Sequence, residues 1–274
     1  MMSKFIHLQT KSHYSIVSGL PKTNQIIDKA VESGMKAVAL TDKNTFFGLV
    51  KFYNYAINKG IKPICGVDFD LRNKFGRSHI LLYAKNKKGL EALFNLSTKA
   101  FLNSDRDGYF IEEKDIFDNA QDLLCILPSN NKEMINIAAK KDHNNLQEKF
   151  SQYKNVFQGN FFIGALSFNE QYDQTTQFIC EEATNADISV VALNDVCFIS
   201  QDDHLAHQAK VAINNATLLK DEIDSPNISQ EQYFKTSDEM QSIHHKSILE
   251  NTLEVAKLCN VLLEEGQYYP VSYT

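Results

Sequence analysis

The sequence of 274 residues lacks several features that would place it in a particular class of protein. No apolar run is long enough for a transmembrane helix, so we predict no membrane partner. The polar residues before Phe5 are too few to form a secretory signal peptide. Neither of the glycine-rich phosphate-binding motifs, G-x-x-x-x-G-K-[ST] or G-x-G-x-x-G, is present, which leaves direct nucleotide binding without support.

Paired cysteines and an excess of positive charge are also missing. The five cysteines are dispersed without a C-x-x-C pair, which favours reduced thiols in a cytoplasmic protein over a disulfide framework. The net charge is −6, with no basic stripe. Because neutralisation of phosphates supplies most non-specific affinity for nucleic acid, we expect any contact with DNA to require a partner or another part of a longer chain.

The segment 36–48 contains the clearest structural signal. Its apolar run 37–40 is typical of a buried parallel strand, and the polar residues Asp42 and Lys43 follow at the strand's carboxyl end. Catalytic and binding residues of α/β folds are placed at such ends. Helices are predicted on both sides, at 22–32 and 48–58, and a second strand, 63–68, again ends in an acid, Asp68.

Strands and helices alternate along the rest of the chain. This order is typical of repeated βαβ units, and the strand count favours a closed or nearly closed α/β barrel over an open sheet. The strand at 5–11 alternates apolar and polar residues, which predicts a half-buried strand. Further strands are predicted at 79–84, 123–127, 160–166 and 188–193, and further helices at 90–99, 132–149, 171–186, 202–213 and 237–260, the last capped by Ser237.

Polar residues collect at the predicted strand ends. They comprise Gln9, Lys11, Asp42, Lys43, Asp68, His79, Asn130, Asp195 and Cys197. Aspartate, histidine and cysteine are metal ligands, so one interpretation is a metal cluster. The ammonium groups of Lys11 and Lys43 have no lone pair and repel a metal ion, so the other interpretation is a salt-bridged set in which they pair with Asp42, Asp68 or Asp195.

Other histidines and serines have simpler interpretations. The pair His244–His245 is predicted to be solvated, and Ser12 and Ser15 are assigned to a loop and helix cap rather than to a nucleophile. His204 and His207, near Asp203, are predicted to interact on a helix surface.

Several ordered segments resemble a known family, namely 5–15, 34–42, 48–53, 60–66 and 194–196. In this order they resemble the PHP (polymerase and histidinol phosphatase) domain. More narrowly, they are similar to the PHP domains at the N-terminus of bacterial replicative DNA polymerase III alpha subunits. The resemblance implies a distorted seven-stranded, TIM-like (β/α) barrel.

Active members of the family hold a metal cluster at the strand ends, and the resemblance implies that most of its ligands are replaced here. The opening His-x-His of the family falls on Gln9 and Lys11, and the histidine after Asp42 falls on Lys43. The family's glutamate falls on Asp68, whereas His79 matches a family histidine.

The later ligand positions are changed as well. The ligand expected near Asn130 is absent, a later histidine falls near Phe168, and Cys197 replaces the histidine that follows Asp195. The resemblance therefore implies no metal, no cofactor and no catalytic residue in this chain. The magnesium of the parent polymerase would belong to a region after residue 270.

The resemblance also implies how the chain is organised and used. We expect a PHP domain over 1–270, with a barrel core at 5–225, a C-terminal helical part at 226–262 and the start of a linker at 263–274. The expected role is a structural scaffold and docking platform for the proofreading exonuclease subunit in DNA replication. The polymerase region of the same chain is the second expected partner, packed against helices at 237–260, and DNA is contacted only through the full polymerase. The alternative is an active metal-dependent phosphoesterase, like histidinol phosphatase or a proofreading exonuclease.

Overall fold

The computed structural model of the chain describes residues 5–106, 108–168, 172–224 and 229–264. The predicted boundary at 225–226 and residues 265–274 of the predicted linker lie outside these ranges. Within them, none of the helices is both long and apolar enough to span a membrane.

Strands and helices alternate through most of the described chain. The strands are β1 Ala37–Leu40, β2 Lys62–Asn73, β3 Gly76–Ala84, β4 Ser104–Asp105, β5 Gly108–Tyr109, β6 Ile111–Glu112, β7 Leu123–Pro128, β8 Phe161–Leu166 and β9 Val190–Leu193. The first helices are α1 Thr23–Glu32, α2 Leu49–Asn58, α3 Lys87–Leu102, α4 Glu113–Asp118, α5 Lys132–Ala138 and α6 His143–Phe157. They are followed by α7 Gln174–Asn185, α8 His204–Asn215, α9 Leu219–Asp224, α10 Ser237–Ile243 and α11 Lys246–Leu258.

The main sheet has seven strands in the order β1-β2-β3-β7-β8-β9, with β6 beside β2. The pairs β1–β2, β7–β8 and β8–β9 are parallel, as expected from the βαβ pattern. The strand β3 is antiparallel to both of its neighbours because it forms a hairpin with β2. The first half of β3 therefore lies at the same edge as the carboxyl ends of the parallel strands, and His79 pairs with Asp70 there.

Residues 7–11 join the two ends of this sheet. The amide of Ala39 donates to the carbonyl of His7 over 3.0 Å, and the amide of Val196 donates to the carbonyl of Gln9 over 3.1 Å. The sheet therefore curls into a distorted barrel, which confirms the predicted fold class. The prediction that 5–11 is half-buried was wrong, because both faces of the segment are covered and residues 5–12 are all buried.

Alternate residues of the strands divide the core into an interior and an outer layer. Small and branched side chains such as Ala39, Ile64 and Val191 fill the barrel together with Leu8. Val255, Ala256 and Cys259 of the C-terminal helical part pack against this interior, so α11 belongs to the barrel's core. On the outside, α1 and α2 cover Val38 and Leu40, while α3, α5, α6 and α7 cover the other strands.

Several predicted elements differ from the structure at their ends. The helix predicted at 132–149 is two helices, α5 and α6, and α4 and α9 were not predicted. The N-cap of α10 is Thr236 rather than Ser237, because the Thr236 hydroxyl accepts from the amide of Glu239 and the Glu239 carboxylate accepts from the Thr236 amide. The strand predicted at 63–68 continues to Asn73, since its pairing with β3 extends beyond the end of β1.

Candidate functional site at the barrel mouth

A fully buried carboxylate, Asp68, is the centre of the polar cluster at the barrel mouth. Asp68 lies within β2, not at a strand end as predicted, at the level where β1 has already ended. The Lys43 ammonium is 3.0 Å from Asp68 Oδ1, and the Lys11 ammonium is 3.4 Å from Asp68 Oδ2. His79 Nδ1 lies 3.2 Å from Oδ1, and Gln9 Nε2 donates to Oδ2 over 3.3 Å.

The two lysines also bind other carboxylates, so each ammonium bridges two acids. Lys43 Nζ is 2.9 Å from Asp70 Oδ1. A backbone bridge between Lys43 and Asp68 fixes the loop that follows β1 against β2. The ammonium of Lys11 forms a salt bridge and hydrogen bond with Asp195, which follows β9.

The charges of this cluster shift the protonation equilibria of its members. Burial alone would raise the pKa of Asp68, but Lys43, followed by the charges of His79 and Lys11, holds this pKa well below its ordinary value. Burial would lower the pKa of Lys11, but the charge of Asp195 contributes to raising it. The pKa of Lys43 is also raised, because Asp68 and Asp70 outweigh its burial. The carboxylate and the ammonium groups are therefore ionised together.

The remaining predicted site residues extend the cluster through neutral contacts. His79 Nε2 is 2.8 Å from the amide oxygen of Asn130. Gln232 Nε2 donates to Asp195 Oδ2 over 3.0 Å and contacts Cys197 Sγ at 3.4 Å. Burial, reinforced by the charge of Asp195, raises the pKa of the Cys197 thiol, so this sulfur is held as a neutral thiol.

Asp42 is near the same edge but does not pair with either lysine, contrary to one of the predicted alternatives. Its Oδ1 accepts hydrogen bonds from the Ser12 amide and the Ser15 hydroxyl, both over 2.6 Å, and its Oδ2 accepts from the Ser12 hydroxyl over 2.8 Å. Burial raises the pKa of Asp42 despite these bonds. Asp42 thus fixes the loop of Ser12 and Ser15, which is the structural role predicted for the two serines.

The structure therefore connects the side chains of all the predicted site residues except Asp42, whose carbonyl accepts from the Asp68 amide, and it adds Asp70, Asn44 and Gln232. Asp70 lies two residues after Asp68 on the same strand and so on the same face, a signal that the sequence does carry. Asn44 donates to Asp70 Oδ2 over 2.8 Å. Gln232 comes from a distant segment, and no local pattern in the sequence points to it.

Three histidines predicted at the surface are buried. His244 hydrogen-bonds Tyr172 through Nδ1 over 2.6 Å, so it is not the solvated residue that was predicted, although His245 is exposed. His204 and His207 face inwards from α8, and both rings pack near Phe198. The helix-surface interpretation of these two residues was wrong.

The carboxylates of Asp68, Asp70 and Asp195 are each paired with a lysine ammonium group. Within the part of the chain that the structure describes, no group of three or more histidine, cysteine and acidic side chains is placed to hold a metal ion. Both oxygens of Asp68 instead face lysine ammonium groups.

Comparisons with known proteins extend this description. The family model "PHP domain" matches residues 7–165, which is more than half of the chain. DNA polymerase III subunit alpha of Pseudomonas fluorescens is 32% identical over 280 residues, covering 100% of this chain and 24% of that protein. The same subunit of Escherichia coli K12 is 31% identical, covering 97% of this chain and 24% of that protein.

The chain spans about a quarter of the length of these curated relatives. Among solved structures, an amidohydrolase from Chromobacterium violaceum with bound sulfate and no metal has a TM-score of 0.48 and 12% identity, covering 70% of this chain and 87% of that one. The family match and the full-length similarity agree with the barrel described above. The chain belongs to the PHP domain family.

Proposed function

We propose that this chain is the PHP part of a bacterial replicative DNA polymerase alpha chain, and that it acts as a non-catalytic scaffold and docking platform. Similarity to alpha subunits along essentially its whole length supports the first half of this proposal. The observation that carries the second half is the placement of Lys11 and Lys43 against Asp68.

The residues at the barrel mouth do not fit the metal cluster that the family implies. A lysine ammonium offers no lone pair, and two such groups already neutralise the carboxylate that a metal ion would need. Lys11 is buried and bridges Asp68 and Asp195, so a metal ion would have to displace a paired cation from each acid. The lysines thus supply the positive charge that metal ions supply in active family members.

The absence of a metal site would remove hydrolytic chemistry. Metal-assisted phosphoester hydrolysis depends on a metal-bound water of lowered pKa and on charge stabilisation at the leaving oxygen. The side chains around Asp68 are ion-paired or hydrogen-bonded to one another and provide neither function. The rival function, a metal-dependent phosphoesterase, requires both.

An activity assay separates the scaffold from the phosphoesterase. We expect no turnover of p-nitrophenyl phosphate or single-stranded DNA by the purified chain in buffers containing manganese or zinc. The control is Asp42→Ala, which removes the acid at a family ligand position. Turnover that is present in the unmodified chain and disappears in this variant would contradict the scaffold proposal.

The proposed separate partner is the proofreading exonuclease subunit of the same replicase. Docking would hold the exonuclease near the growing DNA end and raise its effective concentration without a DNA contact from this domain. Calorimetry with the C-terminal segment of the cognate exonuclease tests this proposal. We expect a dissociation constant of ~10 µM or lower, equivalent to about −7 kcal/mol. No complex at ~100 µM, with binding retained by a longer polymerase chain, would place the docking site elsewhere.

The proposal includes a cytoplasmic location. It assigns contact with DNA, magnesium and nucleotides to the polymerase region and not to this domain. The net charge of −6 supports this division, because an acidic domain gains little from phosphate contacts. Anisotropy titration of the isolated chain with DNA is expected to show no binding at physiological salt. A salt-sensitive complex with DNA of sub-micromolar affinity would contradict the assignment of DNA binding to the polymerase region.

A further inference from the structure

The helices α2 and α3 both pack on β2 on the outside of the barrel, and the space between them is bordered by apolar side chains. Its first wall is formed by Val50, Tyr53 and Ile57, which share one side of α2 because they are three and four residues apart. The opposite side of α2 is occupied by α1, where Tyr55 donates to Asp28 over 2.9 Å. This wall therefore faces away from α1, and Tyr53 shares a core cluster with Leu90 and Leu93 of α3.

Aromatic side chains form the second wall and the upper end of the groove. Phe94 of α3 packs edge-on against Phe46, with ring centroids 5.1 Å apart. The ring of Phe101 lies 6.2 Å from that of Phe47 and 4.5 Å from that of Tyr109. We call the first wall, together with the aromatic residues Phe46, Phe47, Phe94, Phe101 and Tyr109, the α2–α3 groove.

The α2–α3 groove leaves large apolar side chains in solvent. Phe47 is 68% exposed, Val50 62%, Ile57 54% and Phe94 42%. Single exposed apolar residues are common, but a contiguous row of them marks an interaction surface. A chain with only this domain would have to keep that row in water.

The last described residues, 261–264, lie at the end of the groove formed by the C-terminal half of α2 and the start of α3. Tyr53 of the first wall donates to the carbonyl of Val261 over 3.1 Å, and Glu264 forms a salt bridge of 2.7 Å with Lys87, the first residue of α3. Leu262, which is largely exposed, lines a cavity of about 390 Å³ at this point. Glu264, the last described residue before 265–274, therefore lies beside the groove.

We propose that the α2–α3 groove is the surface on which the polymerase region of the same chain docks. The proposal rests on the proposed function, which makes this chain part of a polymerase. Alpha subunits related to it are about four times as long, so a large region is available as the occupant. A region tethered at the end of an apolar groove meets that groove at high effective concentration.

The C-terminal helices, which the family resemblance implied for this contact, are less suitable. The apolar side of α11 is already covered, since Leu249, Val255 and Ala256 are buried against the barrel. The outward side of α11 carries charged residues that form salt bridges along the helix, Lys246 with Glu250 and Lys257 with Glu254. Compared with α11, α2 and α3 therefore present the more apolar exposed surface.

Thiol labelling of single-site variants tests the proposal. Val50→Cys places a thiol in the groove, and Glu254→Cys places a matched thiol on the charged side of α11, where the Glu254 side chain is 58% exposed. The unsubstituted chain supplies the background, to which the half-buried Cys180 contributes. Each variant is made in the 274-residue chain and in a chain that continues through the polymerase region.

We expect Val50→Cys to react at least ~10-fold more slowly in the longer chain, because reaction then requires local opening of the docked surface. Glu254→Cys is expected to react at the same rate in both chains, and Ile57→Cys should repeat the result for Val50→Cys. Equal rates for Val50→Cys in the two chains would overturn the proposal.

Two other occupants are distinguishable outcomes that would also overturn it. Slow labelling of Val50→Cys in the 274-residue chain, relieved by truncation after Glu264, would assign the groove to residues 265–274. Protection that appears only when the exonuclease is added would assign it to that subunit. A natural reading frame without a polymerase region would contradict the proposed function itself. A reading frame with a polymerase region that leaves the groove exposed would contradict only the docking proposal.

Discussion

Two buried aspartates at the barrel mouth, Asp68 and Asp42, are neutralised in different ways. Asp68 is 0% exposed and lies among the positively charged groups of Lys11 and Lys43. Asp42 is 1% exposed and accepts hydrogen bonds from the loop of Ser12 and Ser15 instead. The same residue type at the same depth therefore has an ionic environment in one case and a neutral one in the other.

The difference shows which position depends on a positive charge. Cations hold the pKa of Asp68 well below its ordinary value, whereas burial raises the pKa of Asp42 even though three donors face it. Neutral donors can hold Asp42, whereas within the described residues Asp68 is contacted by the ammonium groups of Lys11 and Lys43, with the Gln9 amide as a further donor. On this proposal, Lys11 and Lys43 are required because Asp68 would otherwise be an unpaired buried charge.

The largest expected effect comes from removing the charge of Asp68. Asp68→Asn keeps the shape of the side chain but leaves Lys11 and Lys43 with one acid each. Breaking a buried ionic set in this way costs about 3–5 kcal/mol. Urea unfolding at pH 7 should therefore show a decrease of that size in the free energy of unfolding.

A matched control lies two residues along the same strand. Asp70→Asn removes a charge that also pairs with Lys43, but its side chain is 30% exposed, so the expected loss is below ~1 kcal/mol. Equal decreases in the free energy of unfolding for Asp68→Asn and Asp70→Asn would mean that burial of Asp68 does not increase the cost of losing its charge. That result would remove the basis of the comparison.

A second effect concerns a buried histidine away from the mouth. His7 is packed against the rings of Phe5 and Phe234, and its Nε2 donates to the carbonyl of Lys235 over 2.8 Å. Burial lowers its pKa from 6.5 to about 4, with the charge of Lys235 acting in the same direction and that of Glu239 opposing it. The folded state therefore keeps His7 neutral while the unfolded chain binds a proton.

Stability should consequently fall as the pH decreases from 6.5 to about 4. The stabilisation is fully present above the unfolded pKa, and the loss attributable to His7 is ~3 kcal/mol, at about 1.4 kcal/mol per pH unit. His7→Gln, which keeps a donor, should flatten this part of the profile. Chemical denaturation at pH 7, 5.5 and 4 measures the slope, and an unchanged slope in the variant would show that His7 is not responsible.

The smallest expected effect is that of Asp42→Asn. An asparagine can keep part of the hydrogen bonding with Ser12 and Ser15, so we expect a loss of ~1 kcal/mol at pH 7. The loss should grow as the pH falls, because a raised carboxyl pKa means that protonation stabilises the folded unmodified chain.

The pH trend of Asp68→Asn should be opposite. The pKa of Asp68 is lowered in the folded state, so its stabilisation is present above the ordinary value of 3.8 and is lost below it. The cost of Asp68→Asn should therefore shrink under acidic conditions. Trends of the same sign in the two variants would contradict the assignment of ionic and neutral environments.

Much of the barrel could be predicted from the sequence because its strands carry strong local signals. The runs that form β1 and β9 are fully apolar and end in polar residues, and the glycine after α2, Gly60, has a φ of +71°. The antiparallel direction of β3 could not be predicted in this way. Its direction depends on a hairpin with β2, whereas the local pattern fits a strand of either direction.

The candidate site was predicted as a set of residues rather than as a set of contacts. Strand-end positions identified Lys11, Lys43, Asp68 and Asp195, since adjacent strands bring their ends together. The partner of Asp42 could not be chosen from sequence, because the loop of Ser12 and Ser15 is near it only in the fold. Gln232 was missed for the same reason.

The most direct test of the central claim is the metal content of the purified chain. Because Lys11 and Lys43 neutralise Asp68, we predict less than one zinc, manganese or iron ion per chain by elemental analysis, without chelator during purification. The melting temperature should be unchanged by EDTA. Two or more ions per chain, with destabilisation by EDTA, would contradict the claim that the lysines take the place of the metals.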